Sequence, residues 1–94
     1  MEFEYLFEKE IILKSESEMI GNIMLGKQAN GVFRVLRVYV ADSHRGQGIA
    51  SQLMNYLVEV ARKEKFKLIP VCSFADAFFK RNKQYDDVLV KNDL

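Results

Sequence analysis

Ile49, Ala50, Leu53, Met54, Leu57, Val58 and Ala61 recur at three- and four-residue spacing, with Gln52, Asn55, Glu59, Arg62 and Lys63 between them. That period belongs to an α-helix with one apolar face, and such a face needs a surface to cover. A run rich in β-branched residues, Val32 to Val40, precedes the helix, and Lys67 to Cys72, with Leu68, Ile69 and Val71, follows it. Two strands joined through a helix make a parallel crossover, so the chain is predicted to be an α/β fold built on one β-α-β unit. Ninety-four residues, 49% of them apolar, suffice for one core, whereas two cores would each be too small. Residues 1-94 are therefore expected to form one domain.

Upstream, Phe3, Tyr5, Phe7, Ile11 and Leu13 fall mostly on alternate positions, which predicts a strand from Phe3 to Leu13 with a bend or bulge at Lys9-Glu10. Ser15-Glu16-Ser17-Glu18 is turn-like, Met19 to Leu25 is a second strand, and Asn30-Gly31 supplies the positive-φ residues of a hairpin. The third strand, Val32 to Val40, is apolar on both faces apart from Arg34 and Arg37, as a central strand should be. Lys67 to Cys72 is the fourth. Ala75, Phe78 and Phe79 define a shorter helix that Ser73 can cap. Tyr85, Val88 and Leu89 suggest a last helical turn, and Lys91 to Leu94 is expected to fray. Met19, Met24 and Met54 read as core filling.

Fourteen basic against thirteen acidic side chains leave a net charge of +1, so no general field holds nucleic acid or an anionic membrane. Any anion site must be local. Cys72, the sole cysteine, has no internal partner, and Met1-Glu2-Phe3-Glu4-Tyr5 lacks the basic and long apolar regions of a secretory signal. No stretch approaches the roughly 20 apolar residues of a membrane span. A soluble, cytoplasmic protein is expected.

Gly46 and Gly48 lie between a strand and the strongest helix, where small residues let a ligand approach the backbone and unpaired N–H groups point outward. The positive end of the helix dipole and Arg45 would add attraction for a pyrophosphate. Two glycines alone do no more than permit a turn; the strand before and the helix after give them weight. A second glycine segment, Gly21-Asn22-Ile23-Met24-Leu25-Gly26-Lys27-Gln28, nearly spells a nucleotide-binding P-loop. Gln28 lacks the hydroxyl that would hold magnesium, the intervening residues are strand-like, and no helix follows to receive phosphate.

Arg45-Gly46-Gln47-Gly48-Ile49-Ala50, following the strand end Val38-Tyr39-Val40, resembles the Arg/Gln-x-x-Gly-x-Gly/Ala signature of the GNAT superfamily of N-acetyltransferases. Pro70-Val71-Cys72-Ser73-Phe74, followed by Arg81-Asn82 and Tyr85, resembles a small single-domain subgroup with a Cys-Ser motif, and the likeness runs from about Phe7 to Leu89. It implies a minimal GNAT fold: a mixed, mostly antiparallel sheet, splayed near Val40, with one main helix and a shorter C-terminal one. It also implies acetyl-CoA as cosubstrate, with the pantetheine arm along Val38, Tyr39 and Val40. Arg45, Gly46, Gln47, Gly48, Ile49 and Ala50 would hold the pyrophosphate, and Ser73 and Arg81 would be further cofactor contacts. No metal is implied.

For acetyl transfer, the sulfur-bound carbonyl must be polarised, and the N–H of Val40 is the candidate donor. Cys72, before a helix, is either a small buried side chain or an acetyl acceptor, as similar proteins suggest; direct transfer to the amine stands beside that route. Where the subgroup often has His-Thr, with histidine as a candidate base, this chain has Arg37-Val38, and arginine cannot serve. His44, the sole histidine, reads as an exposed loop residue rather than a catalytic one, since beside the glycine turn it should face phosphate and not acetyl. Lys80, Arg81 and Lys83 either complement a helix dipole or meet an adenosine 3′-phosphate. Phe74, Phe78, Phe79 and Tyr85 are mainly packing, with one of them beside the cofactor. The expected partners are acetyl-CoA and an unidentified amine, without nucleic acid or membrane; a homodimer stays open. The alternative is a non-catalytic acetyl-CoA binding or sensing module.

Overall fold

A computed structural model describes residues 1–91. Five strands, β1 (Glu2–Leu6), β2 (Glu10–Ser15), β3 (Glu18–Ala29), β4 (Val32–Val40) and β5 (Lys67–Pro70), lie in chain order across one sheet. The first four are antiparallel, and β5 returns parallel to β4 after α1 (Ile49–Glu64). A shorter helix, α2 (Ser73–Arg81), and a 3-10 turn at Lys83–Val88 follow. This is the mixed, mostly antiparallel α/β architecture that the sequence predicts.

The strand expected from Phe3 to Leu13 is two strands. Lys9 N–H donates to the Leu6 carbonyl at 2.9 Å and Glu8 takes a φ of 61°, so the expected bend is a full reversal. The period survives it because Phe3 pairs with Leu13 and Tyr5 with Ile11, which keeps all four on one face. At the next hairpin both Glu16 and Ser17 have positive φ, as in a primed two-residue turn. At Asn30-Gly31 only Gly31 does, at 74°. The strand expected over Met19 to Leu25 runs on to Ala29, and the one expected to reach Cys72 ends at Pro70. The predicted fraying of Lys91 to Leu94 falls, from residue 92 on, outside the described residues.

Helix α1 buries Ile49, Leu53, Met54, Leu57, Val58, Val60 and Ala61 against the inner face of the sheet. A Cβ at Gly21 would come within 2.9 Å of both Leu53 Cδ1 and the Tyr39 carbonyl, so a side chain there would push the helix off the sheet. Phe78 and Phe79 of α2 join the same core. Tyr85 stacks on Phe78 at 5.8 Å between centroids, and Arg62 of α1 lies over the Tyr85 ring at 5.4 Å. Both helices therefore share one layer. The other face of the sheet stays open, which corrects two expectations. β4 is central but buried on one face only, and of the three methionines only Met54 is core, with Met19 and Met24 exposed.

Candidate functional site

Midway along its pairing with β3, β4 carries one residue more than its partner. Leu25 pairs with Val35 but Met24 pairs with Arg37, so Leu36 is an extra residue that bulges out of the ladder. Phe33 and Val35 point into the core before it, and Val38 and Val40 point inward after it. The backbone changes sides as well. Lys67 donates to the Gly31 carbonyl, and Val71 and Cys72 both donate to Val35, so odd residues face β5 before the bulge. After it, Ala41 donates to Ile20 across β3 at 2.8 Å, so by alternation Tyr39 also faces β3 while Val38 and Val40 face the side where β5 has departed. The Val40 carbonyl confirms this direction, because it accepts from Arg45 Nε at 3.3 Å rather than from β3.

β5 pairs with β4 only from Val32 to Val35. Beyond that, among the described residues, no strand pairs with this side of Leu36–Val40. The N–H groups of Val38 and Val40 are left as donors along an open strand edge. Tyr39, expected among the cofactor contacts, turns its backbone to β3, and its ring lies under the Arg37 guanidinium at 5.6 Å on the sheet's outer face.

The strand edge leads to the start of α1. Gly46 and Gly48 have φ of 80° and 74°, and nothing lies within 4 Å of where their Cβ atoms would be. They are required by backbone conformation, and the space in front of them is open. Gly48 is the N-cap residue, yet no side chain caps the helix and its first turn carries no acidic residue, while Arg62 and Lys63 occupy the last turn. The N–H groups of Ile49, Ala50 and Ser51 therefore face outward with a positive dipole end and no internal counter-charge. That arrangement has the donor direction and charge that suit an anion.

A groove of about 260 Å³ opens there, lined by Val40, Arg45, Gly46, Gly48, Ala50 and Phe74 among others. Arg45 turns its Nε to the Val40 carbonyl and to Asp42 Oδ1, the latter at 3.2 Å, which leaves its terminal nitrogens for a ligand. Ile49 contributes its N–H, since its side chain is core, and Gln47 is exposed beside the groove. Of the four aromatics, Phe74 is the one at the groove; Phe78, Phe79 and Tyr85 pack inside. His44 is half-buried in the groove wall with Nδ1 2.9 Å from Ser43 Oγ, not a free loop residue. Ser51, also on the wall, escaped the sequence reading because a polar residue in a first helical turn looks like ordinary surface.

Cys72, not Ser73, caps α2: its sulfur accepts the Ala75 N–H at 3.4 Å, while Ser73 is the exposed first helical residue. Cys72 is half-buried and tied to Val35, five residues and about 16 Å of strand before Val40. It borders the splay nearer Val38 than Val40. Arg81 stands at the far end of α2, about 12 Å from Ser73, and is not brought to the groove. Lys80 is paired with Asp76 at 2.9 Å. Among the described residues, no three His, Cys, Asp or Glu side chains gather in a set that could hold a metal ion, and no helix is long and apolar enough to cross a membrane.

The family described as GCN5-related N-acetyl-transferase matches residues 8–88. Among solved structures, a protein described as a GCN5-like N-acetyltransferase from Staphylococcus aureus superposes with a TM-score of 0.74 at 25% identity, over 98% of this chain and 90% of that one. An N-acetylglutamate synthase from Neisseria gonorrhoeae, complexed with coenzyme A and N-acetyl-glutamate, gives 0.63 at 16% identity over 79% of this chain and 18% of that one. A GNAT family acetyltransferase from Elizabethkingia anophelis with acetyl-CoA bound gives 0.60 at 20% identity over 79% and 51%. No curated protein matches the chain.

Proposed function

The chain belongs to the GCN5-related N-acetyltransferase family, and we propose that it moves the acetyl group of acetyl-CoA to an amine, with the splayed edge of β4 and the uncapped start of α1 as one continuous cosubstrate site. The observation that carries this reading is the register shift at Leu36, which turns the N–H groups of Val38 and Val40 to the side that β5 leaves open. Those two donors would hold the pantetheine amide and the thioester carbonyl. The N–H groups at the start of α1, with Arg45, would hold the pyrophosphate. The residues fit such a ligand in charge, donor direction and space.

In the reaction the amine nitrogen bonds to the acetyl carbon and gives up one proton, the carbon–sulfur bond breaks, and the departing thiolate takes up a proton. A backbone N–H aimed at the carbonyl oxygen is stronger in the charged transition state than in the ground state. By the covalent route Cys72 Sγ first bonds to the acetyl carbon while coenzyme A leaves as its thiol, and the amine then displaces Cys72 and takes the acetyl group. A second reading, a binding or sensing module, is favoured by Arg37, which stands on the outer face where the subgroup often has a histidine. Release of coenzyme A from acetyl-CoA, screened against small amines, polyamines, peptide N-termini and lysine peptides, tests the choice. Transfer to any acceptor supports the enzyme; binding with no transfer across the panel rejects it for the sensor.

A further inference from the structure

Among the described residues, no helix or strand covers the sheet face turned away from α1 and α2, and internal pairings fix the side chains on it. Asn22 donates to Glu10 Oε2 at 2.9 Å, Arg37 lies over Tyr39, and Gly26 makes room for Leu36, whose Cδ1 would be 2.9 Å from a Cβ there. The register sets two rows across the sheet, Ile12–Asn22–Tyr39 and Glu10–Met24–Arg37. Met24 and Leu36 remain 38% and 41% exposed. The charges separate by side. Glu4 and Glu10 stand on β1 and β2, and Arg34 and Arg37 on β4, while Lys67 of β5 turns its ammonium to the Asp87 carbonyl in the helical layer. Lys14 already answers Glu4 at 3.3 Å, at the end of the sheet where Glu2 also stands, and no ion pair answers Glu10 further along β2.

We propose that this face binds the same face of a second copy of the chain, the two sheets related by a two-fold axis running along β3. Such an axis reverses strand order across the interface but keeps position along the strand, so β2 of one protomer meets β4 of its partner. Glu10 then meets Arg37 twice by symmetry, Ile12 meets Tyr39, and the two Met24 side chains meet at the axis. A two-fold across the strands along the Glu10–Met24–Arg37 row would instead set Glu10 against Glu10 and Arg37 against Arg37, which like-charge repulsion opposes. Opposite charges on the two halves of one face make it self-complementary about a two-fold axis. Five strands at about 4.8 Å spacing make a face only about 20 Å wide, so the association is weak and concentration-dependent.

Sedimentation velocity on the full chain, from about 5 to about 200 µM, reads the assembly directly. The wild type is expected to shift from one chain to two, and Glu10→Arg and Arg37→Glu each to stay monomeric. An equimolar mixture of the two variants is expected to recover the dimer, because each then offers the charge that the other needs. Far-UV circular dichroism confirms folding, and Met24→Asp at the axis serves if either variant misfolds. A single chain at every concentration overturns the proposal. So does a dimer that survives both substitutions, or a mixture that stays monomeric while each variant is folded.

Discussion

The N–H of Cys72 donates to the carbonyl oxygen of Val35 at 3.1 Å, and beyond that bond β4 and the chain leaving β5 part. One hydrogen bond thus marks the mouth of the open strand edge, and the residue that makes it also caps the next helix. The proposed covalent route and the start of α2 both call on Cys72, and substitution separates them.

A sulfur 3.4 Å from the Ala75 N–H is a weak cap, and a hydroxyl is a better one. Cys72→Ser should keep or raise stability, and Cys72→Ala should cost at most about 1 kcal/mol, measured by denaturant unfolding. Turnover then distinguishes the two chemical routes. If the acetyl group passes through Cys72, both variants lose transfer and the wild type gains one acetyl group in its intact mass; if transfer is direct, both variants stay active.

At Gly48 the φ of 74° makes a side chain costly, yet a Cβ there meets nothing within 4 Å. Gly48→Ala should therefore lose about 1–2 kcal/mol of stability from backbone conformation alone. Its affinity for acetyl-CoA should fall by about tenfold or more, since the methyl projects where the ligand would lie. Calorimetric titration checks this, and unchanged affinity would take the glycine turn out of the site.

Much of this was legible in the sequence. Val32–Val40 and the main helix were read with nearly their observed bounds, because a 3.6-residue period and a β-branched run leave little choice, and the glycine segment fell between them. The hairpin at Glu8 was hidden because the inward positions on both strands keep the same parity through the turn. The bulge at Leu36 was hidden for a related reason. An extra apolar residue in an apolar strand leaves no gap in the pattern, although it decides which N–H groups face the splay. The open outer face leaves no such signal, because exposure on one side of a sheet is set by what packs against it and not by the strands themselves.

The N–H of Val40 faces away from β3, so Val40→Pro deletes a donor without breaking a ladder bond. Turnover should drop about 100-fold with the fold retained, as for loss of one oxyanion donor. A folded variant with unchanged turnover would assign that role to Val38 alone.

Asp87 is held below the ordinary carboxylate range, first by its hydrogen bonds from Arg62 at 2.7 and 2.9 Å and then by the charges of Arg62 and Lys67, against an opposing cost of desolvation. A carboxylate lowered on folding contributes stability above its unfolded pKa and loses it as pH falls through the folded one. The melting-temperature gap between wild type and Asp87→Asn should thus be present at neutral pH and close as pH falls below about 4. A gap that persists in acid would mean that Asp87 acts by packing rather than by charge.

The central claim is that one ligand runs from the open edge of β4 to the start of α1. Titrating acetyl-CoA into the isotope-labelled chain while following backbone amides tests it most directly. The account predicts saturable shifts at Arg45, Gly46, Gln47, Gly48, Ile49 and Ala50 together with Val38 and Val40, and smaller ones at Tyr39. A titration that moves none of these amides, or only those of the outer sheet face, would contradict it.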